Sequence, residues 1–498
     1  MKLRDLVQEV PCRIRTGNPN LEILGVADHS GRVGEGFLFA AIEGHRRSGT
    51  DFLKQAQSRG AAAILSRSRP EPLPAGCAWL ETGEQRLAIA LIARNFYRRP
   101  DEALTVLGIT GTNGKTTVSY LVESILIRAG LQTARLGTIE YRFGGKTETA
   151  GRTTPSPVDL YRILAAARDA GDSHCVLEVS SHALDQKRAA GMRYTAAVFT
   201  NLTRDHLDYH GDLEEYFSSK KTLFDCLPEQ APALINIDDP YGQRLAREHP
   251  GKILTFGLSP EAWCRPEAWA STPEGLRVDL RCGDETFMVA SALLGKPNLY
   301  NLLAAAAAGS ALGMAPETIA AGLGALDRIP GRMEKIDEGQ DFLALVDFAH
   351  SPDALEQLLK TVRDLRPARI LSVIGCGGDR DPGKRRPMGK AGAALSDMVF
   401  LTSDNPRTED PEVILKEMEK GARSAGPPRG IIEVIPDRKQ AIRAALLAAR
   451  EGDAVVVAGK GHETTQELPT GTVPFDDRQV IREILRANGY GEPTYGAA

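Results

Sequence analysis

One glycine-rich segment of the 498-residue chain has the residue types that bind a nucleoside triphosphate. It follows an apolar run that predicts a strand, and a helical pattern comes after it. Glycines let backbone N–H groups approach phosphates at the positive end of a helix, a lysine can reach the β- and γ-phosphates, and a threonine hydroxyl can bind Mg²⁺. Ile109 replaces the first glycine of the strict pattern. We predict a nucleoside triphosphate site formed by Gly111, Thr112, Asn113, Gly114, Lys115, Thr116 and Thr117.

A carboxylate further along the chain indicates a magnesium site beside that loop. Glu178 ends the predicted strand Cys-Val-Leu-Glu, just before two serines and a histidine. The carboxyl end of a strand in such a sheet is a suitable place to hold Mg²⁺ together with Thr116. A capping carboxylate is the alternative interpretation, and spacing alone does not separate the two.

A lysine lies within an apolar helical stripe. Lys220 is on the face formed by Leu213, Tyr216, Phe217, Leu223, Phe224 and Leu227. A lysine there needs a partner, a route to solvent or a change of charge. A desolvated neutral amine can add CO₂ and become a carbamate anion. His206, with Asp205 and Asp208, could join that anion around a second cation; the pair of histidines at 206 and 210 lacks the pattern of a zinc site.

Three polar clusters follow apolar runs in the C-terminal part of the chain. They are Asp347 to His350, Asp404 to Arg407, and Gly459 to Glu463. Because the carboxyl ends of parallel strands meet along one edge of an open α/β sheet, these clusters predict a ligand site there. The run Gly375 to Asp381 lacks the spacing of a dinucleotide-binding loop and is interpreted as a strand-to-helix turn.

Apolar runs alternate with helical patterns along most of the chain, and this predicts an α/β fold with parallel sheets. Breaks near Arg98–Asp101 and Ile329–Arg332 divide the chain, and its length suits about three domains of roughly 150 residues. We predict domains at 1–100, 101–331 and 332–498. The Ala-rich run 302–315 predicts a core helix and is too short to span a membrane.

Composition narrows the class of protein. Hydrophobic residues make up 42% and charged residues 25%, which is typical of globular proteins. The formal net charge of −4 argues against a broad nucleic-acid or membrane surface. Seven scattered cysteines form no CxxC pair, and the N-terminus has no apolar signal segment. We therefore expect a cytoplasmic protein with small-molecule substrates, and we expect a monomer.

The motifs also occur in the order of a known family. GTNGKTT, EVSSHALDQKR, NLTRDHLDYHG, YFSSK, GKPNLYNLLAA, PGRME and DFAHSPDAL cover residues about 108 to 358, and GGDRDPGKRRPMG, SDNPRTEDP and AGKGHE extend the series to about 463. The chain resembles the Mur ligases, ATP-dependent amide-forming enzymes of peptidoglycan synthesis. The DNPR motif resembles the members that add meso-diaminopimelate to a nucleotide-sugar dipeptide.

The resemblance implies a uridine-binding domain, a central ATPase and a Rossmann-like C-terminal domain. It implies a reaction through an acyl phosphate, with Glu178, His206 and carbamylated Lys220 organising Mg²⁺. Asn298, Asn301, Arg332 and Asp347 would complete the ATP site. The nucleotide-sugar dipeptide would contact Ser30, His45, Arg46, Arg47, Arg152, Thr153, Thr154, Ser180, Gln186 and Arg188. Diaminopimelate would contact Arg385, Asp404, Asn405, Pro406, Arg407, Gly459 and Glu463.

Two departures from the family pattern concern the nucleotide-sugar site. His29-Ser30-Gly31 replaces an Asp-Ser-Arg sequence, so a charged pair is expected to be missing. Arg152 stands where the family commonly has an amide residue before Thr-Thr-Pro.

Three alternatives remain at this point. A ligase on the same scaffold could add L-lysine, or could act on folate polyglutamates. A nucleotide-switched binding protein could hydrolyse ATP without ligation. Arg407 favours diaminopimelate over lysine, because a guanidinium suits the distal carboxylate that lysine lacks.

Overall fold

A computed structural model of the chain describes residues 1–44, 48–71, 73, 76–426 and 430–491. Within these residues the strands form three large sheets and one small hairpin. Each large sheet takes its strands from its own stretch of the chain. The predicted α/β architecture is confirmed, whereas the exact domain boundaries stay a prediction.

The N-terminal sheet has five strands in the order β1-β5-β4-β3-β2. β1 is antiparallel to β5 and the other neighbours are parallel. The apolar segments Phe-Leu-Phe-Ala and Ala-Ala-Ala-Ile-Leu-Ser form two of these strands. The elements are α1 (Leu3–Leu6), β1 (Arg13–Thr16), β2 (Gly25–Ala27), β3 (Phe37–Ala40), α2 (Leu53–Ser58), β4 (Ala61–Ser66), β5 (Ala78–Glu81) and α3 (Gln85–Phe96).

The central sheet has eleven strands, in the order β16-β15-β14-β13-β12-β11-β6-β10-β7-β8-β9. Its strands are β6 (Thr105–Thr110), β7 (Thr133–Leu136), β8 (Glu140–Phe143), β9 (Lys146–Thr149), β10 (His174–Glu178), β11 (Ala196–Phe199), β12 (Ala233–Asn236), β13 (Ile253–Phe256), β14 (Cys264–Thr272), β15 (Gly275–Cys282) and β16 (Glu285–Ser291). Its helices are α4 (Lys115–Arg128), α5 (Pro157–Asp169), α6 (Ser181–Asp185), α7 (Leu207–His210), α8 (Leu213–Asp225), α9 (Pro240–Glu248), α10 (Gly295–Ala311) and α11 (Pro316–Gly324).

The third sheet has the order β17-β18-β22-β19-β20-β21, and only β17 runs antiparallel to its neighbour. Its elements are β17 (Glu334–Ile336), β18 (Leu343–Asp347), α12 (Pro352–Asp364), β19 (Ile370–Ile374), α13 (Arg385–Leu395), β20 (Met398–Leu401), α14 (Pro411–Arg423), β21 (Ile431–Val434), α15 (Arg438–Ala448), β22 (Ala454–Ala458) and α16 (Asp477–Ala487). The hairpin strands β23 (Thr465–Leu468) and β24 (Gly471–Pro474) precede α16.

Both faces of the central parallel strands are buried, which explains why their sequences are continuous apolar runs. In β6, Val106 belongs to a hydrophobic core that includes α5, whereas Leu107 belongs to one that includes α4 and α10. The predicted core helix is α10, which is buried along most of its length. It ends at Ala311 because Gly313, with φ of +79°, turns the chain.

The antiparallel strands β14, β15 and β16 were not predicted from the sequence. Strand β15 alternates buried Val278 and Leu280 with exposed Arg277 and Asp279. A strand with one solvated face has a period of two and no long apolar run, so it is harder to recognise. In the described part of the chain no helix is long and apolar enough to cross a bilayer.

Candidate active site

The glycine-rich loop connects β6 to α4. Gly114 has φ of +88°, and a Cβ there would lie 2.4 Å from Asn301 Oδ1, so only glycine fits. Lys115 is the first residue of α4, and its Nζ donates hydrogen bonds to the carbonyl oxygens of Gly111 and Thr112, both at 2.8 Å. The ammonium group is therefore folded back over its own loop, where a phosphate can replace those carbonyl oxygens.

The other loop residues are bonded to neighbouring elements. Thr112 Oγ1 lies 3.2 Å from the hydroxyl of Tyr216 on α8. The backbone N–H of Asn113 donates to Asn201 Oδ1 at 2.9 Å, and Thr117 is buried on α4. These contacts hold the loop in one conformation.

Glu178 is fully buried at the end of β10, beside the loop. Thr116 Oγ1 donates to its Oε2 at 3.0 Å. Thr138 donates through its N–H to Oε1 at 3.2 Å and through Oγ1 to Oε2 at 2.9 Å. A Cβ on Gly137 would lie 2.1 Å from the carboxylate, so the sequence leaves room for it. A carboxylate and a hydroxyl at this separation are oxygen ligands of the kind that Mg²⁺ prefers, and the residues therefore fit that ion.

Lys220 is 1% exposed on the inner face of α8, so it does not extend to solvent. Its Nζ donates to the carbonyl oxygen of Gly111 at 2.8 Å and lies 4.4 Å from the ring centre of Tyr216. Lys115 donates to the same carbonyl oxygen. Burial, and then repulsion by Lys115, lower the pKa of Lys220 well below its ordinary value. The amine is thus driven toward its neutral, nucleophilic form.

His206 lies at the start of α7 with φ of +53°. Its ring centre is 6.3 Å from that of Tyr216 and 4.7 Å from that of His182, and its Nε2 is 3.6 Å from Asp205 Oδ2. Tyr216 therefore contacts both Lys220 and His206. The described residues contain no group of three or more His, Cys, Asp or Glu side chains positioned to hold a metal. The Asp208 side chain lies outside the described part.

A buried hydrogen-bond network connects Glu178 to the residues expected to hold a nucleotide-sugar peptide. Thr154 Oγ1 donates to the Glu178 carbonyl oxygen at 2.8 Å and accepts the N–H of Ser180 at 3.0 Å. Arg188 donates to the Thr154 carbonyl oxygen and to Gln186 Oε1. Burial lowers the pKa of Arg188 to about 10. Its hydrogen bonds within the described chain go to neutral oxygens, so its charge is available to an anionic substrate.

The remaining residues expected to contact the nucleotide-sugar dipeptide differ in their surroundings. Ser30 Oγ donates to Gln55 at 2.7 Å, Thr153 Oγ1 lies 3.1 Å from Thr138 Oγ1, and Arg152 is exposed. His45, Arg46 and Arg47 lie outside the described residues.

A charged pair does occur beside the departure at residues 29–31. Arg32 donates through Nη1 to both carboxylate oxygens of Asp159 on α5, at 2.8 and 2.7 Å. This pair does not replace the one expected to be missing, because positions 29 and 31 are His and Gly. The pair connects the N-terminal sheet to the central one.

Two buried asparagines on α10 lie beside the loop. Asn298 Nδ2 donates to the Leu294 carbonyl oxygen at 2.9 Å, and Asn301 Nδ2 donates to Asn298 Oδ1 at 3.0 Å. Asn301 Oδ1 is the atom that a Cβ on Gly114 would meet. Asn301 is therefore in contact with the loop.

Arg332 and Asp347 lie where the central part of the chain meets the third sheet. The guanidinium of Arg332 lies 4.7 Å from the ring centre of Phe348, and its pKa is lowered by burial. Asp347 accepts the N–H groups of Met333 and Ala349, both at 2.7 Å. The carboxylate thus fixes the turn that carries Arg332.

The polar clusters that follow β20 and β22 lie close together, as expected for the carboxyl ends of strands in one parallel sheet. Lys460 is fully buried, and its Nζ donates to Asn405 Oδ1 at 3.1 Å and to Glu463 Oε2 at 2.9 Å. Asn405 Nδ2 donates to the same Glu463 oxygen at 2.9 Å. Gly459, with φ of +118°, has no room for a Cβ, which would lie 2.4 Å from Asp404 Oδ2.

Arg407 follows Pro406 with φ of +54°, a conformation that is uncommon for a residue with a Cβ. Its Nε donates to Glu467 Oε2 at 2.9 Å, and its Nη1 donates to the carbonyl oxygen of Gly378 at 2.8 Å. The guanidinium is held on two sides.

Arg385 is bound differently from the other residues expected to contact diaminopimelate. It is 3% exposed, and its guanidinium pairs with Glu409 at 2.7 Å and with Glu417 at 3.0 Å. It is not among the residues that line the cavity described next. In this conformation it stabilises the start of α13.

A cavity of about 1000 Å³ lies between the central part of the chain and the third sheet. One side is lined by His182, Arg204, Asp205, His206 and Leu207. The opposite side is lined by Phe348, His350, Gly375, Gly377, Asp404, Asn405, Arg407, Gly459 and Glu463, among others. The cavity is large enough for a small-molecule substrate.

The three-sheet α/β architecture and the glycine-rich loop define a P-loop protein. Its cavity lies between the central part of the chain and the third sheet. Residues 109–309 match the Mur ligase middle domain, and residues 331–461 match the Mur ligase glutamate ligase domain. The chain belongs to the Mur ligase family and is therefore an ATP-dependent ligase that uses Mg²⁺.

Relatives match nearly the whole chain. The UDP-N-acetylmuramoyl-L-alanyl-D-glutamate–2,6-diaminopimelate ligase of Solibacter usitatus is 47% identical, with 94% of each chain covered. The protein of the same name from Geobacillus kaustophilus is 42% identical over 98% of this chain and 100% of its own. A solved structure with that name has a TM-score of 0.70 and 33% identity, covering 98% of this chain and 100% of the other.

A more distant solved structure supports the fold alone. The MurF ligase from Thermotoga maritima, solved in complex with ADP, has a TM-score of 0.64 at 19% identity. It covers 93% of this chain and 97% of that one.

The contacts of three polar residues of the site were not predicted from the sequence, although Lys460 belongs to the predicted cluster Gly459 to Glu463. Thr138 binds Glu178, Lys460 binds Asn405 and Glu463, and Glu467 binds Arg407. Lys460 lies inside a predicted cluster, and the apolar run that precedes this cluster was the available signal that Lys460 is buried. Thr138 and Glu467 lie in segments without periodicity, and only the fold brings them to their partners.

Proposed function

We propose that this chain adds meso-diaminopimelate to UDP-N-acetylmuramoyl-L-alanyl-D-glutamate in peptidoglycan synthesis, with ATP as the energy source. The named relatives support this reaction. The observation that carries the proposal is the cavity that Asp205 and His206 line on one side and Asp404 and Arg407 on the other. Such a cavity would accommodate a phosphorylated acid beside an incoming amino acid.

The first half of the reaction transfers the γ-phosphoryl group of ATP to the D-glutamyl carboxylate. Lys115 exchanges the carbonyl oxygens of Gly111 and Thr112 for phosphate oxygens and neutralises charge on the transferring group. The products are an acyl phosphate and ADP, which is the leaving group of the transfer. Arg188 holds an anionic part of the nucleotide-sugar peptide.

Mg²⁺ would be held by Thr116 and Glu178, and it would neutralise charge on the phosphates. His206 belongs to a second polar cluster that would face the acyl group. We also propose that Lys220 is carbamylated: its neutral amine attacks CO₂, an N–C bond forms, and one proton is released. The resulting anion would remove the repulsion between Lys220 and Lys115 and supply a further oxygen ligand for a cation.

The second half begins when the amine of the amino acid attacks the acyl phosphate. A tetrahedral intermediate forms, the attacking nitrogen loses a proton, and the C–O bond to phosphate breaks to give the amide and inorganic phosphate. Arg407 would bind the distal carboxylate of diaminopimelate, and Asp404 would accept from the neighbouring ammonium group. Exclusion of water by closure of the cavity would protect the acyl phosphate from hydrolysis. We place this activity in the cytoplasm, where ATP is available, and in a monomer.

Phosphate release tests the function directly. The purified protein is supplied with ATP, Mg²⁺ and the nucleotide-sugar dipeptide, and with diaminopimelate, L-lysine or no amine. We expect phosphate release and a new amide only with diaminopimelate. Comparable catalytic efficiency with lysine would instead indicate a lysine-adding ligase, and release without any amine would indicate a nucleotide-switched hydrolase.

A further inference from the structure

Glu467 holds the guanidinium of Arg407, although it lies outside the motifs that indicate the amino-acid site. Its Oε2 accepts from Arg407 Nε at 2.9 Å, and its side chain is 47% exposed while that of Arg407 is 20% exposed. Glu467 belongs to β23, the first strand of the hairpin that follows Glu463. The contact therefore joins the hairpin to the loop after β20.

The hydrogen bonds of Arg407 determine which edge of its guanidinium remains for a ligand. A guanidinium has five N–H groups. Nε–H donates to Glu467, and one N–H of Nη1 donates to the carbonyl oxygen of Gly378. Within the described residues, the other three N–H groups, on Nη1 and Nη2, have no hydrogen-bond acceptor. Arg407 lines the cavity, so this edge can bind a carboxylate through two parallel hydrogen bonds.

Backbone contacts hold both partners in register independently of the carboxylate. The N–H of Arg407 donates to the carbonyl oxygen of Glu467 at 3.0 Å, and the N–H of Glu467 donates to Asn405 Oδ1 at 3.0 Å. Gly377 leaves room for Nη1 in this position, because a Cβ there would lie 3.1 Å away from it. Shortening the Glu467 side chain thus removes its hydrogen bond to Nε and leaves these backbone contacts in place.

We propose that Glu467 is a positioning residue for amino-acid selection: it fixes Arg407 so that the Nη edge faces the cavity and grips a distal carboxylate. This inference rests on the proposed function. A long arginine that is free to rotate would lose side-chain entropy on binding, whereas a guanidinium already held at Nε and Nη1 has lost it beforehand. Selection for an amino acid with a distal carboxylate is strengthened as a result.

Glu467 also has an electrostatic effect that would weaken the binding of a distal carboxylate. The carboxylate of Glu467 weakens the positive potential that a distal carboxylate experiences. The exposed pair contributes only a small Coulomb energy in water, so the orienting hydrogen bond is the larger effect. Glu467→Gln separates the two, because its amide oxygen still accepts from Nε but carries no charge.

The experiment compares steady-state kinetics of the wild type, Glu467→Ala and Glu467→Gln with diaminopimelate and with L-lysine. We expect Glu467→Ala to raise KM for diaminopimelate about three- to tenfold, with kcat changed less than about twofold. Its efficiency with lysine should not change, so selectivity falls by the same factor. Glu467→Gln should restore KM to nearly the wild-type value.

Glu419→Ala is the matched control. Glu419 also accepts from an arginine Nε at 2.9 Å, that of Arg423 on the outer face of α14, and neither residue lines the cavity. This control should leave KM and selectivity unchanged. An unchanged or lower KM in Glu467→Ala, or a Glu467→Gln variant as impaired as the alanine variant, overturns the positioning role. A wild type that uses both amino acids equally overturns the proposed function, and this inference with it.

Discussion

The two ligand-binding regions of this molecule contain buried or half-buried cations that are compensated in opposite ways. In the nucleotide region, Lys115 and Lys220 both donate to one carbonyl oxygen, that of Gly111. In the amino-acid region, Lys460 pairs with Glu463 and Arg407 pairs with Glu467. One region has neutral partners for its cations, and the other has a carboxylate for each.

The difference follows from the charge of the proposed ligands. A nucleoside triphosphate brings several negative charges, so a region that binds it can leave its own cations without counter-ions. Diaminopimelate has a carboxylate and an ammonium group at its distal end, and a region with balanced charges suits it better. Among the described residues, the nucleotide region thus leaves Lys115 and Lys220 without a carboxylate partner, and burial lowers the pKa of both amines.

The largest expected effect comes from removing Arg407 from the amino-acid region. In Arg407→Ala the distal carboxylate loses its partner, and the preference for diaminopimelate over lysine should collapse. Sites built around such polar groups reject the analogue that lacks one by roughly 10⁴- to 10⁵-fold. Competition between the two amino acids measures the ratio. A selective Arg407→Ala enzyme would show that another group recognises the carboxylate.

Removing a cation from the nucleotide region should affect turnover instead of selectivity. In Lys115→Ala we expect kcat to fall by about 10² to 10³, because an electrostatic contact to the transferring phosphoryl group is lost. The fold should remain, since Lys115 contacts loop carbonyls and not the hydrophobic core. Phosphate release and the melting temperature are measured together. Full turnover in a folded variant would contradict the assignment of the ATP site.

Substitution of Lys220 tests whether the nucleotide region gains a negative charge in the active enzyme. We expect Lys220→Ala to lose about 10- to 100-fold in activity, which bicarbonate cannot restore and small carboxylates such as acetate partly restore. The wild type provides the control, since added carboxylates should not accelerate it. An intact mass without the carbamate, in a fully active preparation that is kept in bicarbonate, would contradict the modification.

The sequence predicted the elements and residues whose pattern is local. Most of the central parallel strands were predicted because both of their faces are buried, and Lys220 was recognised because it interrupts an apolar stripe. The partners of these residues could not be predicted, because they come from distant segments: Lys220 and Gly111 are 109 residues apart, and Arg407 and Glu467 are 60 apart. Arg385 shows the same limit, since its pairing with Glu409 and Glu417 depends on the packing of α13 and α14.

The smallest effect concerns His462, which lies between the two regions. Its ring centre is 5.0 Å from that of Phe348, and its Nδ1 is buried without a hydrogen-bond partner in the described chain. Burial, and then the charges of Arg332, Arg478 and Lys460, lower its pKa to about 4. In the unfolded chain its pKa should be near 6.5.

Between these two pKa values the unfolded chain binds the proton and the folded chain does not. Stability contributed by His462 is therefore complete above about pH 6.5 and is lost as the pH falls toward 4, with a slope of up to about 1.4 kcal/mol per pH unit. His462→Gln removes the titrating group and should have a flatter dependence of unfolding free energy on pH in this window. Denaturant unfolding of both proteins at pH 4.5, 5.5 and 7 measures the difference. Parallel pH profiles would show that neither burial nor the neighbouring cations lower the pKa of His462 in the folded chain.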